Sequence, residues 1–431
     1  MAESGGAVAR QDIYAALRYP KFGRYILCLF CFTLGIQIQG TVVGWQIYDL
    51  TKDPLALGLI GLAEALPAMS TALYAGHVAD TRDRRRIALV ALSVLVLCSI
   101  ALWFLAGPHI AGVELVHQTR LYAIYGVIVL SGVARAFLQP SRQALSAELV
   151  PRALYSNAIT WRTGSWQLAS VMGPAIGGLL YAVGGSPLAY AVDAVLMVAA
   201  VGVLVSIRHR SPARVATGEG VIKSVAGGVR FVMGEPVILG ALTLDLFSVL
   251  FGGAVALLPI FAAEILFVGP AGLGILRAAP AAGAVITTVL LARNRDFERS
   301  GHVLLAAVAG FGVCMICFGL STSFLLSVSL LFLAGMCDMV SVVIRSTLLQ
   351  SRTPDALLGR VSAVNLIFIG SSNEIGAFES GLTARWWGTS RSVVIGGLAT
   401  LGVVAAVAWF VPSLRRMGRM LADEAESKAV A

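Results

Sequence analysis

Val303–Cys337 reads VLLAAVAGFGVCMICFGLSTSFLLSVSLLFLAGMC, 35 residues without an Asp, Glu, Lys or Arg. A helix crosses the hydrocarbon core of a bilayer with about 20 apolar residues, so this stretch has room for nearly two crossings. Outward from it the chain keeps the same character: 58% of its 431 residues are hydrophobic, 13% are charged, and mean hydropathy is +0.84. Soluble domains carry about 25% charged residues. The solvent of this chain is lipid, and a charge inside an apolar stretch needs a reason.

Twelve spans are expected near 25–48, 55–77, 87–106, 121–139, 160–183, 187–206, 237–262, 270–292, 302–321, 323–345, 360–385 and 391–412. No small-residue cleavage site follows a short apolar region at the start, so the first span is expected to act as its own insertion signal. Of the 32 basic residues, 25 fall on the side of the termini, 4 on the other side (Lys52, Arg120, Arg385, Arg391) and 3 inside spans. Lys and Arg collect in cytoplasmic loops, which predicts that both ends are cytoplasmic. The net charge of +9 follows from that topology and from contact with anionic headgroups, and argues for no nucleic-acid partner.

All six cysteines lie in spans, and the CxxC spacings Cys28–Cys31 and Cys314–Cys317 read as small packing residues rather than a metal or redox site. HExxH, a Walker A loop and a polar Ser/His/Asp arrangement are all missing from the sequence, so no catalytic residue, cofactor or metal is expected.

The longest internal hydrophilic stretch, Arg208 to about Pro236, separates six spans from six. Internal matches suggest a duplication. Gly61-Leu-Ala-Glu64-Ala-Leu-Pro67 of span two matches Gly274-Ile-Leu-Arg277-Ala-Ala-Pro280 of span eight at a shift of 213. Gly132, Arg135, Arg142, Leu145 and Pro151 match Gly335, Asp338, Arg345, Leu348 and Pro354 at a shift of 203, and the same shift sets Gly173 and Gly178 on Gly376 and Gly381. The expected division is a segment 1–24, a six-helix bundle 25–206, a cytoplasmic loop 207–236, a second bundle 237–412 and a tail 413–431. Parallel repeats of this kind, about an axis along the membrane normal, hold a site between the bundles and rock about it.

The loop after span two reads Gly76-His-Val-Ala-Asp80-Thr-Arg82-Asp-Arg84-Arg85-Arg86. It resembles the Gly-x-x-x-Asp-Arg-x-Gly-Arg-Arg signature of the major facilitator superfamily at Gly76, Asp80, Arg84 and Arg85; Thr81 and Asp83 depart from it. The resemblance implies an all-α membrane fold of two six-helix bundles and a latch between them at Asp80. Arg84–Arg86 are expected to anchor the loop to headgroups. Gly173-Pro174-Ala-Ile-Gly177-Gly178 is similar to the core of an antiporter signature of that superfamily, with Ala169 in place of its upstream glycine. Helix packing through small residues is the other reading of that stretch. Gly44-Trp45-Gln46-Ile-Tyr48, Gln139-Pro140-Ser-Arg142 and Thr353-Pro354-Asp-Ala-Leu-Leu-Gly359-Arg360 resemble the branch that contains enterobactin and drug exporters.

Nine charges sit inside spans: Glu64, Arg135, Arg162, Asp193, Asp245, Arg277, Asp338, Glu374 and Glu379. Such groups face a cavity or a partner. A carboxylate isolated from water and counter-charge holds a proton more readily than one in water, which is the basis of proton coupling. Glu64, Asp245 and Glu374 are the leading candidates, with Arg277, Asp193 and Glu379 as further cavity groups. The alternative is structural: salt bridges between the bundles, Glu64 with Arg277 or Arg135 with Asp338. Gln37, Trp161, Arg162, Trp166 and Asn365 could form a substrate wall; Trp161 and Arg162 could equally be interface anchors. Together these features predict a monomeric, proton-coupled exporter of a siderophore- or drug-like molecule in a bacterial inner membrane. An importer, a lysophospholipid transporter or a non-transporting scaffold remain as alternatives.

Overall fold

The computed structural model describes residues 12, 14–107, 109–110, 113–114, 116–209, 221–293 and 299–418. Span one is Pro20–Thr51, span two Pro54–Thr81, span three Arg84–Phe104 and span four His117–Glu148. Spans five and six share one helical segment, Tyr155–Ser206, broken at Gly184 and Gly185, where Gly185 adopts φ +67°. Span seven is Pro236–Gly252 and continues through irregular helical turns to Ile265. Spans eight to twelve are Gly269–Arg293, Ser300–Leu320, Phe324–Arg352, Asp355–Trp387 and Thr389–Phe410. The two-residue strands His109–Ile110 and Val113–Glu114 pair between spans three and four, at the ends away from the termini.

Among the described residues, ten helical segments are long and apolar enough to cross a bilayer, and one of them, Arg152–Ser206, holds spans five and six together. Span eleven, which carries Asn365, Asn373, Glu374 and Glu379, is the remaining crossing, Asp355–Trp387. The total is the expected twelve.

Local chemistry sets the helix starts. Asp53 accepts from Leu55 N at 3.0 Å ahead of Pro54, an N-cap followed by a proline at the first helical position. Asp83 caps span three, accepting from Arg85 N at 2.9 Å and Arg86 N at 3.3 Å. The aspartate that departs from the loop signature is therefore a helix cap.

The sequence repeat reappears as packing. A Cβ on Gly132 of span four would lie 2.6 Å from Glu64 O of span two; one on Gly335 of span ten would lie 2.6 Å from Pro280 Cα of span eight. Gly173 of span five meets Leu34 O of span one at 3.2 Å in the same sense, and Gly376 of span eleven meets Leu250 O of span seven at 2.9 Å. Gly178 meets Gly274 Cα of span eight at 2.8 Å, and Gly381 meets Gly58 Cα of span two at 2.8 Å. Each glycine permits a backbone approach that any side chain would block. The last two approaches join opposite halves.

The apolar core shows how the halves sit. Away from the termini one buried cluster runs through both, from Ile38, Ile47 and Tyr190 to Phe261, Leu273 and Phe318. Toward the termini the core divides: Phe22, Leu95, Leu145 and Met197 belong to the first half, while Leu244, Leu304, Leu348 and Leu414 belong to the second. The central loop was expected to be hydrophilic throughout. Instead it contains the helix Val221–Gly234, whose Val232 is buried with Ile238, Leu349 and Val361 of the second half. Gly228 lets this linker helix approach Arg360 O of span eleven at 2.7 Å.

Candidate functional site

The site is the seam between the halves. At the far end, away from the termini, it is held by the two glycine approaches, by Tyr48 Oη donating to Glu264 Oε1, and by Arg385 Nη1 at 3.4 Å from Asp53 Oδ2. Deeper in, Arg277 Nη1 donates to Gly40 O across the seam at 2.9 Å. Gly40 and Gly44, one turn apart on span one, leave the cleft that this guanidinium occupies: a Cβ at either would lie 3.7 or 3.5 Å from its nitrogens. Further toward the terminal side, Gln167 of span five donates to Thr288 Oγ1 of span eight at 3.3 Å.

The charges do not pair across the seam in the way the sequence suggested. Glu64 forms its ion pair with Arg135, between spans two and four of the same half. Asp338 makes no ion pair with Arg135, and Arg277 makes none with Glu64. Glu64 and Arg277 match in sequence, but positions related by a pseudo-two-fold need not touch. Asp245 is paired with Arg345 of span ten, both almost fully buried at 5% and 3% exposure. Arg345 was missed as a span charge, although its match with Arg142 marked its place. Two of the three leading carboxylates are thus neutralised inside their own halves, because adjoining helices of one bundle keep them in register.

Glu374 of span eleven is the exception, and it stands at the seam: a Cβ on Gly61 of span two would be 3.1 Å from its Oε2, and Arg135 lies within its electrostatic reach. Asp193 is 0% exposed and accepts from Gln39 Nε2 at 3.1 Å, while its Oδ1 has no partner among the described residues. Gln39 connects it to a cavity of about 50 Å³ bounded by Gln39, Gly40, Val43, Glu64, Ser131 and Arg135. Glu379 is half-buried nearer the far end of span eleven.

The remaining expectations divide. Arg84 is buried rather than at the headgroups: it is ion-paired with Glu148, whose other oxygen is 3.1 Å from His209 Nε2. Arg85 Nη2 donates to Val205 O at 2.8 Å. Both of these contacts stay within the first half. Gly76 lies inside the terminal-side part of span two with no atom of the described residues within 4 Å of its Cβ position, and the side chain of Asp80 lies outside the described residues. Gly173 and Gly177 pack on span one, Gly178 on span eight, and Pro174 presents its carbonyl oxygen to Gly274. Trp161 lies against Tyr14 at 5.7 Å with the rings tilted by 37°, and it packs on the first half's core. Arg162 and Gln37 are half-buried and Trp166 is exposed; Asn365 Oδ1 is enclosed without a hydrogen-bond partner among the described residues.

This geometry is that of a twelve-span membrane protein of the major facilitator fold, two six-helix halves meeting at a seam. A family model described as transmembrane secretion effector matches residues 12–428, and the chain belongs to that family. It is 28% identical over 391 residues to the enterobactin exporter EntS of Shigella flexneri, covering 90% of this chain and 91% of that one. The same exporter from Escherichia coli O1:K1 is also 28% identical over 391 residues, with 90% of this chain and 91% of that one covered. Among solved structures, a bacterial homolog of the human lysosomal transporter Spinster, inward-facing and unoccupied, has a TM-score of 0.71 at 15% identity, covering 92% of this chain and 97% of that one. The nucleoside transporter NupG gives 0.70 at 14% identity, with 91% and 99% covered. At these identities the structures bear on the fold alone.

Proposed function

We propose that this chain is a proton-coupled exporter of a siderophore- or drug-like amphipathic molecule, working by alternating access as a monomer in the bacterial inner membrane with both termini cytoplasmic. The observation that carries this reading is the divided core: one apolar cluster through both halves at the far end, separate clusters at the terminal end. Two bodies joined at one end and parted at the other are the geometry of a rocker. With the termini cytoplasmic, the present state opens inward. The 28% relatives named as enterobactin exporters favour outward transport of a siderophore-sized solute.

Glu374 is the acid we assign to coupling. It is the leading carboxylate that is not neutralised within its own half, and it faces Gly61 and Arg135 across the seam. A proton there removes a charge from the path of closure; its loss restores one. The test is dye or siderophore uptake into everted vesicles energised with a proton gradient. Uptake that collapses with a protonophore supports the reading, and uptake indifferent to the gradient overturns coupling. Glu374→Gln is expected to abolish gradient-driven uptake while leaving facilitated exchange of labelled solute. Wild-type gradient dependence in that variant removes Glu374 from the mechanism.

A further inference from the structure

At the terminal end the repeat sets two neutral positions of the second half against two charged ones of the first. Arg345 of span ten has Asp245 beside it, and the pair is closed off from solvent. Its match in span four is Arg142, and the match of Asp245 is Phe32, by the shifts of 203 and 213. The ring lies 5.6 Å from the Arg142 guanidinium and gives it a face but no counter-charge. The shift of 203 also sets Arg162 of span five on Asn365 of span eleven. An ion pair and an amide in one half are thus two unbalanced cations in the other.

Both cations stand toward the seam and the bundle interior. Arg142 is two helical turns from Arg135 on the same face of span four; Arg135 bounds the cavity and is within electrostatic reach of Glu374 on the other half. Arg162 is three turns before Gly173, on the face of span five that packs on span one. The two converge on Tyr25 of span one: its Oη donates to Arg142 O at 2.8 Å, and both guanidiniums are within electrostatic reach of it and of each other. Each is half-buried, and neither has an ion pair among the described residues; Arg142 Nη2 donates to Gln139 Oε1 at 2.5 Å. The acids described at this end of the first half are engaged elsewhere: Glu148 with Arg84, Asp12 with Arg18, and Asp83 as the cap of span three. The cores of the two halves are separate here, so a solute entering from the terminal side meets these arginines before Glu64 or Glu374.

We infer that Arg142 and Arg162 form an anion site that receives the acidic group of an amphipathic solute at the cytoplasmic mouth of the seam. Guanidiniums match a carboxylate or a similar planar anion through paired hydrogen bonds. Trp166, exposed and one turn along from Arg162, offers a ring to the apolar body of the same solute. This rests on the transporter reading above and adds the sign of the substrate's charge: organic acids are taken, and organic cations are repelled.

The experiment measures binding by fluorescence anisotropy to the full-length protein in phosphatidylcholine nanodiscs. The probes are two xanthene dyes of similar size, fluorescein, which is an anion at neutral pH, and rhodamine 6G, which is a cation. The wild type is expected to prefer fluorescein. Arg162→Asn, which copies the second half, should weaken fluorescein binding about tenfold, the scale of one hydrogen bond to a charged group, and spare rhodamine 6G. Phe32→Asp gives Arg142 the counter-charge that Arg345 has and should cost about as much, while the neutral Phe32→Asn should keep the preference. Arg162→Asn carries the test alone should the Phe32 variants fail to assemble. A wild type that binds the dyes equally or binds neither, an unchanged preference in Arg162→Asn, or equal losses in the two Phe32 variants overturns the site. Fluorescein binding that disappears when phosphatidylglycerol is mixed into the discs assigns the arginines to a lipid headgroup and overturns it too. Binding needs no gradient, so an anion preference in a protein without gradient-driven uptake overturns the coupling reading and leaves this site standing.

Discussion

Phe32 on span one and Asp245 on span seven are 213 positions apart, the shift that relates spans two and eight, and each is met by an arginine from an equivalent place on span four or ten. In the first half the Arg142 guanidinium lies 5.6 Å from the Phe32 ring centroid. In the second, Arg345 is in a buried ion pair with Asp245. About two turns back along spans four and ten, the relation inverts: Glu64 and Arg135 are bonded in the first half, while Arg277 and Asp338 form no ion pair in the second. Glycines fix the shared backbone, because their close approaches tolerate nothing else. The side chains between those contacts were free to diverge, and they did so by trading where the charge pair sits.

The comparison breaks first at the buried pair. Asp245→Ala leaves Arg345 charged and enclosed, and is expected to cost about 3–5 kcal/mol, read as a collapse of thermal stability in detergent. The matching change on the other side, Arg142→Ala, removes a ring contact worth about 1–2 kcal/mol. Equal losses would mean that the two arginines do the same job after all.

A smaller effect is expected at Glu64, whose pair with Arg135 is about a quarter exposed on each side. Glu64→Gln should lower stability by about 1–2 kcal/mol, discounted for solvent screening, and adding Arg135→Gln should return part of it. A double variant no better than the single one would show that Arg135 leans on Glu374 instead. The smallest effect is expected at the rim. Asp53→Asn keeps the cap on span two, since asparagine caps as well as aspartate, and removes only the exposed contact with Arg385. Less than about 1 kcal/mol should be lost in the same melting assay. A larger loss would make this rim contact a main fastener of the closed end.

The sequence made the architecture legible for a physical reason: lipid forces long apolar runs, and duplication leaves equal spacings. Both survive as one-dimensional patterns, so the twelve spans and the glycine contacts of the repeat could be read from residue order. Partner choice could not. Depth along a helix follows from counting, but which neighbour a side chain faces depends on the rotation of each helix, and no pattern in Glu64 or Arg135 records it. Arg345 escaped notice because counting placed it at a membrane exit, whereas its helix carries it inward to Asp245. Val221–Gly234 was hidden for the opposite reason, since glycines and a lysine dilute an apolar spacing that matters only once span eleven is there to cover it.

Span eleven carries two asparagines and two glutamates along Asp355–Trp387. Each such residue near the centre of a helix weighs against its release from the translocon into lipid. Its neighbours offer what lipid does not: span seven takes Gly376, span two takes Gly381, and the linker helix covers Arg360. The eleventh segment is therefore expected to enter the bilayer most readily against earlier ones already there. A shortened chain ending at Trp387 would wait at the membrane's door for partners, while one ending at Leu320 would not.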